Sequence, residues 1–407
     1  MKINSVSPVV AASCCVAAMA FVAAGAASVF ALEPQAIEVG IVDVIPELHT
    51  RVEHTDNMFR DEDDTVSSSI SLVTPRVTAR VTDGLQLFTT TFELLRGDYS
   101  ATDVDDYTDW RLAALADMEI NVRNKLQLEA EYFNTHEVRG TGFSQGGVFT
   151  PVPDKFDAKT LAAQYQFGAD TARGRIVIDA NRYEKDYTNN PLTTRLRGRV
   201  DNGLSGTFHV GVLPRTDILL QYAARDVNYV NDPIEGIDTE DRLDSEEQYG
   251  YVGVTWEATG KTSGTLKVGY GRKDFADPDR TDSSGPSWDA ALRWEPRTYS
   301  IVQLSAGRAF GEPTGIGSGM DTVRYGLDWE HQWSSRLRST VALTRNNDDY
   351  IDSPREDRIR DLSARVDYSI DTWLDVFAGA SRDERDSPLP GFSYEQNVLR
   401  IGFSASL

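Results

Sequence analysis

Val323-Arg324-Tyr325-Gly326-Leu327-Asp328-Trp329-Glu330 decides the fold class. Apolar side chains take every second place, and polar ones or glycine fill the rest. That period of two belongs to a strand with one apolar and one polar face. The pattern recurs downstream. Leu362, Ala364, Val366, Tyr368 and Ile370 alternate with Asp361, Ser363, Arg365, Asp367 and Ser369. Leu399, Ile401, Phe403, Ala405 and Leu407 alternate with Arg400, Gly402, Ser404 and Ser406. Upstream, Ile218, Leu220, Tyr222 and Ala224 form one such row, and Leu126, Leu128, Ala130 and Tyr132 another.

The connectors alternate as well. Asp83-Gly84, Pro214-Arg215-Thr216, Glu295-Pro296-Arg297, Trp333-Ser334-Ser335 and Asp371-Thr372 are short. Between them lie long polar stretches at 56–66, 100–105, 139–156, 229–246, 276–286, 311–319, 348–357 and 385–393. The spacing predicts about 18 strands, with 16 as the alternative count, in an all-β, antiparallel, up-and-down transmembrane barrel with short periplasmic turns and long extracellular loops. A soluble sandwich would turn its apolar faces inward and show no short–long alternation. Closing the sheet satisfies every backbone hydrogen bond, as the bilayer interior demands. The low mean hydropathy of −0.39 follows, since only alternate residues meet hydrocarbon.

Other numbers narrow the class further. The chain has 407 residues, 63 acidic and 41 basic, for a net charge of −22. A surface that binds nucleic acid would be basic, so nucleic acid is not an expected partner. Cys14 and Cys15 are the two cysteines, too few for a disulfide scaffold. Both fall in the first 31 residues, which read as a secretory signal peptide: Lys2, an alanine-rich apolar run, then Ala31 before Leu32-Glu33-Pro34. Residues 32–46 read as a short periplasmic segment, and 47–407 as the barrel. An outward first strand from Glu47 places the long loops outside, in the outer membrane of a Gram-negative bacterium. Aromatics near strand ends, among them Trp110, Tyr222, Trp294, Trp329 and Trp333, suit interfacial girdles.

The residues from Arg51 to Arg60, Arg-Val-Glu-His-Thr-Asp-Asn-Met-Phe-Arg, resemble the opening of the outer-membrane β-barrel porin type 2 family. Leu72-Val73-Thr74-Pro75-Arg76-Val77 is similar to that family's Ser/Thr-Pro-Arg strand. Asp106–Leu112 and His136–Gly140 continue the match. His54-Thr55 stands where the family has Tyr-Asp. Members are often encoded among genes for exopolysaccharide synthesis and export. The resemblance therefore implies a barrel serving surface-polysaccharide secretion, with polysaccharide-export components as partners, and brings no catalytic residues.

No enzyme site emerges. Gly142-Phe143-Ser144-Gln145-Gly146 fits G-x-S-x-G, but a nucleophile elbow needs a strand before it and a helix after it, and this stretch sits in a glycine-rich loop. The five histidines have no metal-ligand spacing. No cofactor is expected. Acidic outer loops, of which Asp277-Pro278-Asp279-Arg280-Thr281-Asp282 is the most ligand-like, leave open weak Ca²⁺ or Mg²⁺ bridging to lipopolysaccharide phosphates, against a plain solvated surface.

By parity the lumen should hold Arg111, Glu129, Glu131, Arg225, Lys267, Arg293, Arg324, Asp328, Asp361 and Arg365. Mixed charges there either line a water-filled pore or pair to brace the wall. Two readings stay open. One is a porin-like channel for a surface polysaccharide or small polar solutes. The other is a non-conducting structural or assembly barrel whose acidic surface binds ions, polysaccharide or a partner. Outer-membrane lipid, lipopolysaccharide and the barrel-assembly machinery are expected partners of either.

Overall fold

The computed structural model describes residues 36–148, 150–234 and 242–406. The expected signal peptide and Leu407 lie outside the described residues. The strands are β1 (Ile37–Val39), β2 (Val42–Thr55), β3 (Ser68–Asp83), β4 (Gln86–Tyr99), β5 (Tyr107–Asn121) and β6 (Asn124–Glu137). They continue as β7 (Asp154–Phe167), β8 (Gly174–Tyr187), β9 (Arg199–Leu213), β10 (Thr216–Tyr229), β11 (Ser245–Thr259), β12 (Thr262–Phe275) and β13 (Ser283–Arg297). The last six are β14 (Ser300–Gly311), β15 (Gly319–Gln332), β16 (Leu337–Ile351), β17 (Glu356–Asp371), β18 (Leu374–Asp386) and β19 (Tyr394–Ser406).

From β2 onward each strand pairs antiparallel with the next, and β19 returns to β2 from Ser406↔Glu47 to Val398↔Thr55. The sheet is a closed antiparallel barrel of 18 strands. β1 forms a hairpin with the start of β2, pairing Ile37↔Val44 and Val39↔Val42. The first barrel strand therefore begins at Val42, ahead of the expected Glu47.

One end carries tight turns such as 84–85, 122–123, 214–215 and 372–373. Gly84 and Arg215 adopt φ near +63°, the left-handed geometry that two-residue hairpin turns use. The other end carries most of the long loops. One expected loop is absent: β16 runs on to Ile351, so the predicted stretch 348–357 contracts to a turn at 352–355 with Asp352 at φ 58°.

The two faces separate sharply. On β10, Ile218, Leu220 and Tyr222 are 43–56% exposed, whereas Leu219, Gln221 and Ala223 are 2–7% exposed. Row after row repeats this, from Leu48 and Val52 on β2 to Leu399 and Ile401 on β19. A strand of 14 residues, such as β2, stands about 36 Å tall at the usual rise and tilt. That exceeds the roughly 25 Å apolar band of such barrels, so the strands project beyond it. Near the turn end Trp329, His331, Trp333 and Tyr299 pack in a chain with ring centroids 4.2–5.5 Å apart. No central hydrophobic core exists among the described residues. Small apolar clusters line the inside wall instead, such as Met58–Ile70–Leu72–Tyr99 and Ala223–Tyr249–Phe310.

Candidate functional site: the lumen and its outer mouth

Cross-strand partners share a face, so the register places inward side chains without ambiguity. All ten sequence-predicted lumen residues occupy rows opposite the exposed apolar rows. The structure does not gather them into one constellation. It distributes them over three kinds of surroundings.

The first is an alternating charge belt. Glu47 lies opposite Arg76, Arg76 opposite Glu93, and Glu93 opposite Arg111. Arg111 then ion-pairs with Glu131 and lies 5.5 Å over the Phe133 ring. The sign thus changes at each step from β2 to β6. Glu129 sits below Glu131 and accepts from Gln127 at 2.7 Å.

The second is a dense buried network on β9 to β12. Arg225 reaches Asp201 at 2.8 Å and Glu247 at 3.2 Å. Lys273 bridges Glu247 at 3.0 Å and Glu312 at 2.6 Å, and all three side chains are at most 2% exposed. Tyr229 donates to Glu312 at 2.8 Å. Glu312 belongs to the loop 312–318. Burial pushes its carboxyl up, but Lys273, Arg199 and Arg225 together hold it down at about 2. Lys267 lies lower on the same wall, 3.1 Å from the Gln221 amide oxygen and 3.6 Å from Asp289. In this quarter the inward charges pair and brace the wall, and Leu219, Ala223, Val227 and Tyr249 are buried among them.

The third is the more open arc from β13 to β19. Arg293 pairs with Glu295 at 2.8 Å, and Arg324 donates to Asn346 at 3.1 Å. Arg365 pairs with Asp367 at 2.6 Å and stacks 3.6 Å over Phe377. Asp361 faces Asp383 directly across β17 and β18, and Asp328 lies opposite Gln303 and Ala342.

Above these walls the outer mouth is bridged. The loop 138–153 leaves β6 and returns on β7, yet its Gln145 Oε1 accepts from Arg355 Nη2 at 2.7 Å and from Arg385 Nη1 at 2.6 Å. In a ring of 18 strands, β7 and the β17–β18 pair stand nearly opposite. Residues 138–153 therefore form a strap across the opening. At the near wall Arg139 ion-pairs with Asp105 and covers Phe59 at 4.5 Å, and Arg197 covers Phe143 at 4.2 Å. Ser144 of the G-x-S-x-G stretch is buried. Its hydroxyl donates to Thr141 O and accepts from Gly140 N, each at 2.8 Å. It staples the strap's own turn.

Arg355 is the junction of the mouth. It is fully buried, grips Asp357 with two nitrogens, donates to Thr314 O at 3.1 Å, and is sandwiched between Tyr350 (4.3 Å) and Phe392 (4.1 Å). Two loops, the strap and 312–318, thus meet on one guanidinium. Sequence reasoning missed Gln145, Glu312 and Arg355, because loop positions carry no periodic signal. The inward Arg199, Asp201, Glu247 and Lys273 did carry one, in the parity of their strands.

In the acidic run 277–282 the side chains have other work. Asp277 pairs with Arg280 at 3.3 Å and accepts from Asp279 N at 3.0 Å, and Asp282 accepts from Phe275 N at 3.0 Å. Among the described residues no group of three or more His, Cys, Asp or Glu converges as metal ligands would.

Comparison with known proteins fits this architecture into a family. No curated protein matches the chain. Among solved structures, it is similar to OccAB3 of Acinetobacter baumannii, with 12% identity and a TM-score of 0.45, over 89% of this chain and 99% of that one. It is likewise similar to the outer membrane protein opdK of Pseudomonas aeruginosa, with 10% identity and a TM-score of 0.47, over 90% and 99%. The siderophore receptor PirA of P. aeruginosa shares 11% identity at a TM-score of 0.45, over 89% and 80%. The family model described as "Putative beta-barrel porin 2" matches residues 31–407, so this chain belongs to that family and is a porin-like barrel of the Gram-negative outer membrane.

Proposed function

We propose that the barrel is a passive channel for small polar solutes, narrowed at its outer mouth by the strap 138–153. The observation that carries this reading is the Gln145 bridge to Arg355 and Arg385 across the opening. Below it lies a polar wall in which many cations pair with carboxylates and further carboxylates, Asp328, Asp361 and Asp383 among them, stand in excess. A barrel of 16–18 strands is wide enough for an aqueous channel, and a strap across it selects by size. The inward residues named above, apart from the buried Arg225 and Lys267, would then line the path.

Planar-bilayer recording and liposome swelling test this directly. Stable conductance is expected, with swelling fast for monosaccharides and slowing steeply through tri- and tetrasaccharides. A stably silent barrel sinks the proposal and leaves the structural or assembly reading.

Export of a surface polysaccharide is a second reading. It is supported by the inward, partly exposed ring of Tyr251, backed by the buried Tyr249 with ring centroids 5.9 Å apart, a face on which a sugar can stack. It requires the strap to swing aside. Secreted polysaccharide in a gene-deletion strain decides it: unchanged secretion removes export.

A further inference from the structure

The lipid-facing side of β16 to β18 carries a group of arginines that neither the lumen nor the strap uses. Leu343 and Leu362 are opposed across β16 and β17, exposed at 44% and 49% in the apolar row. The next outward-facing pair toward the loop end is Arg345↔Arg360. Arg382 lies opposite Leu362, and Arg358 stands between Asn347 and Asp386 on the two neighbouring strands. All four arginines are exposed.

Directly opposed like charges on one face of a sheet repel. Arg345 and Arg360 are such a pair, in a chain whose net charge is −22. Elsewhere on the outer rim single arginines are matched to an acid on their own strand: Arg96 to Asp98, Arg182 to Glu184, Arg272 to Asp274. Here the matching is incomplete. Arg360 reaches Glu384 at 3.5 Å, and Arg382 reaches Glu384 at 3.7 Å and Glu395 at 2.7 Å. Arg345 donates to the neutral Asn347 at 3.3 Å. Among the described residues no carboxylate lies within salt-bridge distance of Arg345 or Arg358.

We propose that Arg345, Arg358, Arg360 and Arg382 form a binding site for the phosphorylated headgroup of a glycolipid in the outer leaflet. The position specifies an amphiphile. Arg345 and Arg360 stand one row beyond Leu343 and Leu362, Arg358 one row further and Arg382 level with Leu362, so a lipid with acyl chains along those leucines brings its phosphate to the arginine level. Arginine's planar fork suits phosphate oxygens, which accept two parallel hydrogen bonds from it. A phosphate between Arg345 and Arg360 turns their repulsion into shared attraction. The site lies on the outside of the barrel and stands whether or not the lumen conducts.

Native mass spectrometry of the delipidated full-length barrel, titrated with bisphosphorylated lipid A, tests the site. Wild type is expected to retain one lipid A tightly, and the Arg345→Ser/Arg360→Ser variant to bind about tenfold more weakly, the loss of one good charge-assisted contact. The Arg182→Ser/Arg272→Ser variant, altered where each arginine has its own acid, should bind like wild type. Equal binding by both variants overturns the proposal, as does equal weakening. The source of the phosphate is tested on wild type alone. Dephosphorylated lipid A must bind poorly, and millimolar inorganic phosphate must fail to displace the lipid. Undiminished binding of the dephosphorylated lipid, or displacement by free phosphate, rejects the glycolipid site even if the arginine variants fail to fold.

Discussion

Single residues carry the outer mouth. Arg355 holds Asp357, Gln145 and Thr314 at once, so its loss should free the strap and leave Asp357 without its counter-charge. Removing one partner of a buried pair costs about 3–5 kcal/mol. Arg355→Ala is therefore expected to give a larger, noisier single-channel conductance while the barrel still runs as a folded, heat-modifiable band. An unchanged trace would show that Arg385, the second donor to Gln145, and the near-wall anchors suffice to hold the strap. Glu312 predicts a pH dependence. Its carboxyl is held at about 2, below the ordinary 4.5, so its stabilising contribution is complete above about 4.5 and is lost as pH falls toward 2. Conductance noise should stay flat from pH 7 to pH 4.5 in wild type, and Glu312→Gln should be noisy throughout. Arg225 and Lys267 were legible in the sequence because strand parity exposes them. Gln145 and Arg355 were not, since their contacts lie 210 residues apart and no local pattern encodes such a meeting.

At the scale of elements, period-two alternation was enough to find the strands and the short-turn end. It failed where strands leave the hydrocarbon. Asp348 and Asp349 look like loop residues, yet they extend β16; beyond the membrane both faces are polar and alternation disappears. The same loss hid the start of β2, where Val42, Asp43 and Val44 pair with β1 as part of a hairpin. The charge belt Glu47–Arg76–Glu93–Arg111–Glu131 was half visible: Arg111 and Glu131 could be assigned, but the belt needs the register of five strands. Packing between strands imposes a further demand. Gly271 lies under Tyr249, whose Cε1 would be 2.6 Å from an added Cβ, and Gly269 lies against the Gly250 carbonyl and Tyr251. The rings lie flat along the wall because those neighbours have no side chain. Gly269→Ala should push the β11–β12 pairing apart and cost about 1–3 kcal/mol, read as a lower temperature for loss of the heat-modifiable band; an unaltered midpoint would mean the sheet flexes to absorb the methyl.

For the whole molecule, the inward rows hold more carboxylates than cations, because Glu129, Asp328 and the mutually opposed Asp361 and Asp383 add to the acids already paired, and this excess predicts a cation preference. A clearly non-zero reversal potential of cation-selective sign is expected in a salt gradient, and a value at zero would mean that these carboxylates do not face the ion path. The order in which contacts form has a separate origin. Neighbouring strands join residues a few tens of positions apart, but the seam joins Thr55 to Val398. Loop-closure entropy rises with that separation, and long-range pairings form slowly. The seam is thus the last junction to zip, and until then β2 and β19 are bare template edges. β1 already caps the first residues of β2, so it acts as an end-stop: β19 can slide in only as far as Glu47, and one register of closure is selected before the ring is complete.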